Sequence, residues 1–254
     1  MWYPRRFIIY AVILVVAVWL SMRVTNFELT NLMNLSNAVE FVINNFTPEA
    51  HHWANLPVYL QDSVVTLGMA FLGTFLALVF VLPLSFFAAR NTSPARWQFA
   101  FSRSGFTFLR AVPEIVFGMV FVVALGLGPF AAVLAILLHN IGVLGKLISE
   151  LIEAAEDGPQ EAMKATGATR RIAQLFAIIP QIWPNVLSHY FYRFEVAIRT
   201  SLVLGIIGGG GIGQRLYNDF NSYNYEGVAV AIVVIMVLVL AVDFLGSFVR
   251  KRVI

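Results

Sequence analysis

VVTLGMAFLGTFLALVFVLPLSFFAA, residues 64–89, is a long run without a single charged side chain. A helix rises 1.5 Å per residue, and about 20 residues cross the hydrocarbon core of a bilayer, so this run is long enough to span a membrane. The whole chain shares this character, since 59% of its 254 residues are hydrophobic and only 12% are charged. A soluble domain would carry about a quarter charged residues. The sequence therefore predicts an all-α membrane protein.

Outward from this run, five more apolar segments predict membrane-spanning helices. With the first they make one transmembrane domain over residues 1–254, with spans at 7–22, 64–89, 111–127, 130–149, 183–207 and 227–249. The first span could be a cleaved signal peptide with Arg5 and Arg6 as its charged end, but it is interpreted as a retained anchor, because no small-x-small cleavage site follows it. The turn Gly126-Leu-Gly-Pro129 predicts a hairpin between the third and fourth spans. Residues 36–43 predict a short helix at the membrane interface.

The distribution of basic residues predicts the orientation of the chain. Lysine and arginine in short loops favour the cytoplasmic side of the inner membrane. Only Arg23 and Arg215 lie in loops on one side, and the opposite side carries Arg5, Arg6, Arg90, Arg96, Arg103, Arg110, Lys164, Arg170, Arg171, Arg250, Lys251 and Arg252. We expect a bacterial inner-membrane protein with both termini in the cytoplasm and residues 24–62 outside.

Several classes of site are disfavoured. The chain has no cysteine, which excludes disulfides, zinc–thiolate sites and thiol nucleophiles. It shows no basic tract interleaved with aromatic residues, so no nucleic-acid partner is expected. No metal site is expected either, because the spacing of the four histidines does not favour one; they are His51, His52, His139 and His189.

The predicted cytoplasmic loop at residues 153–180 contains signals for a short helix between two breaks. Asp157 or Gly158 can cap this helix with Pro159 in its first turn. Gly167 can end it in the left-handed conformation, and Thr169 can cap the next helix. Such a helix either docks on another protein or merely joins two spans.

A motif in this loop resembles that of permease subunits of ATP-binding-cassette (ABC) importers. Glu161-Ala-Met163, Gly167 and Ala177-Ile-Ile-Pro180 follow the family pattern E-A-A-x3-G-x9-I-x-L-P, with Met163, Ala177 and Ile179 as departures. In that family this segment is the coupling helix that docks in the ATPase subunit. The resemblance therefore implies a coupling segment at 159–171, with the ATPase-coupling residues Glu161, Ala162, Met163, Lys164, Gly167, Ala168, Thr169 and Arg170.

Residues 105–254 more closely resemble the phosphonate permeases of this superfamily. The similar stretches are Arg110-Ala-Val-Pro-Glu114, Val123-Ala-Leu-Gly-Leu-Gly-Pro-Phe130, Tyr192-Arg-Phe-Glu-Val-Ala-Ile-Arg199 and Leu204-Gly-Ile-Ile-Gly-Gly-Gly-Gly-Ile-Gly213. This implies a type I importer architecture for phosphonate or a relative such as phosphite or hypophosphite. It also implies a second copy of the chain, two ATPase subunits and an external solute-binding protein.

This chain is expected to move solute and to do no covalent chemistry. It lacks the phosphate loop G-x-x-x-x-G-K-[ST], since Gly142-Val-Leu-Gly-Lys146 is one residue short, so ATP and Mg²⁺ would bind the separate ATPase. No cofactor is expected in the chain itself. Three alternatives stay open: an importer of methionine or another small solute, a stand-alone ion-coupled transporter or channel, and, ranked last, a membrane enzyme.

Charged residues within the spans are the first candidates for the transport path, because a charge at the bilayer centre costs about 2.5–3.5 kcal/mol on insertion scales. Glu195 and Arg199, four residues apart, predict a helical pair. Arg193 has no local acid, so it either pairs across helices or meets an anion. Two more pairs are considered: Arg110 with Glu114, as an internal pair or a gate, and Lys146 with Asp243, as a structural pair.

The glycine-rich stretch at residues 205–213 predicts irregular backbone, which at membrane depth survives only inside the protein or along a cavity. It could be a hinge or close helix contact, an anion contact or an external turn. The transport-path candidates are therefore Arg110, Glu114, Arg193, Glu195, Arg199, Gly208, Gly209, Gly210 and Gly211.

Overall fold

The computed structural model describes residues 3–27 and 35–253, and within these ranges every regular element is a helix. The internal contacts divide the chain into two units, one up to Thr47 and one from Pro48 onward. The all-α prediction is therefore confirmed for the described residues.

The first unit contains two helices, α1 (Tyr3–Val24) and α2 (Leu35–Asn45). Helix α1 contains the first predicted span, and its apolar side chains from Phe7 to Leu20 are largely exposed within the unit. Helix α2 confirms the short helix predicted at residues 36–43. Its position at a membrane interface stays a prediction.

The described part of the second unit contains nine further helices and a π-helical turn. In chain order they are α3 (Ala50–Trp53), α4 (Leu56–Ala88), α5 (Arg96–Ala111), α6 (Glu114–Leu125), α7 (Pro129–Ala154), α8 (Asp157–Ala165), α9 (Arg170–Leu204), the π-helical turn (Gly205–Gly209), α10 (Gly211–Asn221) and α11 (Tyr225–Val253).

Helix α4 contains the uncharged run and packs along α7 in the centre of the second unit. Its packed side is built from small residues such as Ala70, Gly73 and Ala77, all buried. The approach is close: a Cβ placed on Gly73 would lie 2.7 Å from the side chain of Ile136. The opposite side exposes phenylalanines such as Phe71 and Phe75, as expected of a helix that faces lipid.

The third predicted span differs from the structure. A span was expected from residue 111 to 127, but the chain breaks between α5 and α6, and the two helices meet at a bend of 85°. The break lies at Val112 and Pro113, whose backbones are extended. Proline has no N–H to donate and pushes the residue before it out of the helical region. Helix α6 itself has only 12 residues.

The fifth predicted span, residues 183–207, covers the C-terminal part of a longer helix and continues into the π-helical turn that follows it. Helix α9 has 35 residues and continues through Pro180 and Pro184. Prolines are tolerated in such helices where neighbouring groups satisfy the freed carbonyls. Gln181, between the two prolines, donates from Nε2 to the carbonyl of Ala177 at 2.8 Å.

Four described helices are long and apolar enough to cross a membrane by themselves: α1, α4, α7 and α11. Two bent pairs raise the number to six if each forms one span. These pairs are α5 with α6, and α9 with α10, the second bent by 56°. If each bent pair forms one span, the six predicted spans correspond to four continuous helices and two broken ones.

Candidate functional site

Helix α8 lies where the sequence predicts the coupling segment. It runs from Asp157 to Ala165, with Glu156 in the capping position, so the cap falls before the predicted Asp157 or Gly158. Gly167 has a φ of +86°, the left-handed conformation that favours glycine. Its amide donates to the carbonyl of Lys164 at 2.9 Å, which ends the helix as predicted.

Thr169 begins the next helix as predicted, with one difference. Its backbone is extended and its carbonyl accepts from the amide of Ala173 at 2.9 Å, as in an N-cap. Its hydroxyl makes no capping hydrogen bond. The break between α8 and α9 therefore depends on backbone conformation and not on a side-chain cap.

The predicted coupling residues differ in exposure. Most are exposed, namely Glu161, Ala162, Lys164, Gly167, Thr169 and Arg170, while Met163 and Ala168 are half-buried. Gln160, which sequence reasoning did not single out, is buried. Because α8 packs against α9, one side of α8 is covered and the other is presented outward.

Polar contacts join α8 to its neighbours. The side chain of Gln181 on α9 bonds both the amide and the carbonyl of Glu156, at 3.0 and 3.3 Å. Arg170 donates to the carbonyl of Asn91 at 3.2 Å, and Asn91 Nδ2 donates to the carbonyl of Ile152 at 2.8 Å. The start of α8 is therefore bonded to α9, and the start of α9 is connected through Asn91 to α7.

A charged group lies beside these contacts. Arg103 contacts Glu150 at 3.3 Å and Glu153 at 3.1 Å, and Glu153 also accepts from the amide of Arg90 at 2.9 Å. These contacts could not be predicted from the sequence, because the partners lie on elements whose relative positions no local pattern fixes.

Apart from α8, the second candidate site is a buried polar cluster between helices, centred on Arg193. Its Nε and Nη2 donate to Oδ1 of Asn140 at 2.9 and 2.6 Å, and its Nη2 contacts Oε1 of Glu114 at 3.3 Å. Only 8% of Arg193 is exposed. Of the two possibilities left open by the sequence, pairing across helices or meeting an anion, the structure shows pairing across helices.

Two more side chains complete this cluster. Asn140 Nδ2 donates to the hydroxyl of Thr74 at 3.0 Å. His139 lies between Oε1 of Glu114, at 3.5 Å, and the carbonyl of Val112, at 3.1 Å. The cluster thus joins α4, α6, α7 and α9, and sequence reasoning missed Asn140 and Thr74.

The predicted internal pair of Arg110 and Glu114 is not formed. The two residues lie on opposite sides of the 85° bend between α5 and α6, so they do not share a helix face. Glu114 contacts Arg193 and His139 instead, and Arg110 is exposed.

A second charged group lies between α9 and α11. Arg199 contacts Glu195 at 2.7 Å, which confirms the predicted pair, and also Asp243 at 3.3 Å. The predicted pair of Lys146 and Asp243 is wrong, because Lys146 contacts Glu150 one turn further along its own helix, at 3.6 Å.

The glycine stretch forms a buried break. Helix α9 passes into the π-helical turn, where Gly208 has a φ of +97°, and α10 begins after Gly210. The carbonyl of Gly208 accepts from the amide of Gly128 at 2.8 Å. Gly205, Gly208 and Gly209 are buried, so the stretch is a close contact inside the protein and not an exposed turn.

Helix α10 is fixed to the first turns of α4 by side chains. Arg215 forms an ion pair with Asp62, and the hydroxyl of Tyr59 donates to Asp219 at 2.9 Å. The hydroxyl of Thr66 accepts from the amide of Ile212 at 3.0 Å. An amide in the first turn of α10 is therefore satisfied by the protein itself.

The sequence of the chain is similar to those of known transport proteins. Residues 81–254 match the family model described as binding-protein-dependent transport system inner membrane component. The chain is 37% identical over 193 residues to the phosphite transport system permease protein PtxC of Stutzerimonas stutzeri, covering 76% of this chain and 70% of that protein.

A further relative and a solved structure are also similar. The phosphate-import permease protein PhnE of Mycolicibacterium smegmatis is 43% identical over 163 residues, covering 64% of this chain and 31% of that protein. A permease chain of the methionine ABC transporter MetNI, in an inward-facing conformation, aligns with a TM-score of 0.68 at 20% identity. That alignment covers 78% of this chain and 97% of the other, and at this identity it shows the fold alone.

Proposed function

Because the chain belongs to the family of binding-protein-dependent transport system inner membrane components, we propose that it passes a phosphorus oxyanion into the cell. As a member of this family it is a multi-pass permease subunit of an ABC importer in the inner membrane. It is not an enzyme, and it works with a separate ATPase and a solute-binding protein.

The proposed substrate class follows from the relatives. One is named for phosphite and another for phosphate import, while the methionine transporter shares only the fold. Phosphite, phosphate and phosphonate share a tetrahedral phosphorus with ionised oxygens. Within this class we propose phosphonate or a close relative such as phosphite or hypophosphite as the substrate.

The observation that carries a coupling role is the geometry of α8. It is a short helix between two breaks, with an outward side bearing Glu161, Ala162 and Lys164. Its capping residue Glu156 is bonded to Gln181 on α9, and Arg170 at the start of α9 is bonded to the loop that follows α4. A partner that pushes on this side would move the long helices behind it. We therefore assign residues 159–171 to docking on the ATPase, where ATP and Mg²⁺ would bind.

The charged side chains support a division of roles along the proposed path. Arg193 is occupied by Glu114 and Asn140, and Glu114 also contacts His139, so we assign Arg193 and Glu114 to holding the helices together. The side chain of Arg199 is 50% exposed, and Arg110 is exposed as well. An arginine at membrane depth must face protein or water. We therefore place Arg199 and Arg110, with Glu195, nearer the path.

The same exposure supports assembly with a second copy. A single chain of this size encloses little space, and a half-exposed Arg199 beside Asp243 would be costly against lipid. A twofold homodimer with the path on its axis would cover this face. Two differently tagged copies of the chain should then co-purify from one membrane. Recovery of one tag only, together with a different permease, would contradict the homodimer.

Transport itself tests the function. The permease is reconstituted in liposomes with its ATPase and solute-binding protein, and uptake of labelled methylphosphonate is measured. We expect uptake that requires ATP and the binding protein and is competed by phosphite or phosphate but not by methionine. Uptake of methionine, or uptake without the ATPase, would refute the proposal.

The orientation is tested by cysteine labelling, which the absence of native cysteine makes clean. Cysteines placed singly at Asn45 and at Ser102 should react with an impermeant reagent from opposite sides of the membrane. Glu161→Cys, on the outward side of α8, should react from the same side as Ser102→Cys. Labelling of Asn45→Cys and Ser102→Cys from one side would contradict six spans with both termini in the cytoplasm.

A further inference from the structure

Two histidines and a glutamate lie together where α3 meets the start of α11. One ligand atom from each of His51, His52 and Glu226 lies within 4.8 Å of the others. Within the described part of the chain this is the one group of three or more such residues close enough to hold a metal ion. The histidines follow one another in sequence, and Glu226 is brought to them only by the fold.

We propose that His51, His52 and Glu226 bind a divalent transition metal of the zinc class. Imidazole and carboxylate are ligands that suit Zn²⁺ and also Cu²⁺ or Ni²⁺, whereas Mg²⁺ and Ca²⁺ prefer oxygen alone. Two histidines and one glutamate, with water in the fourth position, form a known zinc ligand set.

The distances fit a metal-free form of such a site. Nε2 of His52 and Oε2 of Glu226 are 2.8 Å apart, a hydrogen-bond distance. Two ligands at about 2.0–2.1 Å from a tetrahedral ion are roughly 3.3 Å apart, so the pair needs to separate by about half an ångström. The rings of His51 and His52 lie with centroids 3.8 Å apart, which places both imidazoles on one side of α3.

The carboxylate of Glu49 lies beside the ring of His51 and orients it. Oε2 of Glu49 lies 3.3 Å from Nδ1 of His51. A histidine whose Nδ1 donates to a carboxylate presents Nε2 with a free lone pair, the arrangement found around many metal-bound histidines. Glu49 therefore favours the tautomer in which Nε2 of His51 is free to bind a metal.

The ring of His52 has one polar contact and one unpaired nitrogen. The side chain of His52 is 16% exposed, and its Nδ1 is buried with no hydrogen-bond partner. Buried ring nitrogens are ordinarily paired. Among the described residues Glu226 is the one polar contact of this ring, made through Nε2, and a metal ion between the two would add His51 as a third ligand.

A bound ion would join the segment before α4 to the first turn of α11. Both lie at the end of the second unit that carries α10, where Tyr59 bonds Asp219 and Asp62 pairs with Arg215. The ion would therefore stabilise the same end of the bundle on which α10 is fixed. This inference concerns metal binding and does not depend on the substrate.

Metal titration of the full chain tests the proposal. The permease is purified in detergent with a tag that lacks histidine, stripped with EDTA and titrated with Zn²⁺ by calorimetry. We expect one ion per chain with a Kd in the micromolar range or below, and a rise in Tm that EDTA reverses. Mg²⁺ and Ca²⁺ should give neither effect.

Variants separate this site from chance binding. His51→Ala should fold normally, because that side chain is 69% exposed, and should weaken Zn²⁺ binding at least tenfold. His52→Ala should weaken it at least as much, and His189→Ala, which removes a histidine elsewhere, should leave it unchanged. Bound Co²⁺ should give visible bands typical of tetrahedral coordination. Absence of one-to-one binding, or equal binding by His51→Ala, would overturn the site.

Discussion

Arg193→Gln is expected to leave little assembled protein in the membrane, with a loss of about 3–5 kcal/mol in unfolding free energy, the usual cost of removing one partner of a buried pair. Arg193 is 8% exposed and supplies three donated contacts, one to Glu114 and two to Asn140. The variant leaves the carboxylate of Glu114 without its cation. The amount of folded permease and its Tm in detergent measure the effect.

Second substitutions give this prediction its controls. Glu114→Gln added to Arg193→Gln removes the stranded charge and should recover part of the lost stability. Arg193→Lys should be intermediate, because the charge remains but the guanidinium donors to Asn140 are lost. Arg96→Gln is the matched control, since this arginine is exposed at the start of α5 and its loss should cost much less.

Two outcomes would contradict the assignment of Arg193 to packing. A well-assembled Arg193→Gln permease that no longer takes up substrate would place the residue in the transport path. A well-assembled variant with full uptake would show that the cluster contributes little to either role.

Gly167→Pro is expected to reduce ATP-driven uptake by about 5–150-fold, the range that coupling free energies of 1–3 kcal/mol produce. Proline requires a φ near −65°, whereas Gly167 has +86°, and the substitution also removes the N–H that bonds Lys164. The end of α8 would be redirected while the buried helices remain. Uptake and ATP hydrolysis in the same liposomes measure the loss of coupling.

Graded and neutral variants on α8 sharpen this test. Glu161→Lys reverses an exposed charge and should also impair uptake, and Gly167→Ala should be milder than proline. Gly158→Ala should be neutral, because an added Cβ there meets no atom within 4 Å. Normal uptake by both Gly167→Pro and Glu161→Lys, with folded protein, would argue against docking of the ATPase on α8.

Much of the fold could be predicted because long uncharged runs leave few alternatives to a membrane helix. The element limits were harder to predict. Helix α4 begins at Leu56, before the uncharged run, since Tyr59 and Asp62 are held by partners on α10. Helix α9 continues through Pro180, which a sequence pattern reads as a break.

Contacts within the candidate site were predictable only where they are local. Glu195 and Arg199 share a helix face, so their pair followed from spacing. The partner of Arg193 could not be identified, because it depends on a bend at Pro113 that turns Glu114 toward α9. The predicted pair of Lys146 and Asp243 was wrong because the rotation of each helix about its axis depends on packing. The apolar pattern that locates a span does not reveal this rotation.

The hydrogen bond from the Gly128 amide to the Gly208 carbonyl allows the opening of the break after α9 to be measured. An amide exchanges with deuterium only when its donor separates from its acceptor. Gly128 precedes α7 and lies outside the helical hydrogen-bond ladder, so fraying of a helix does not release it. Its exchange rate therefore measures the separation of the α6–α7 turn from the π-helical turn. If the two turns move as one body during transport, this proton stays protected in every nucleotide state; if the break opens, it becomes labile in one state only.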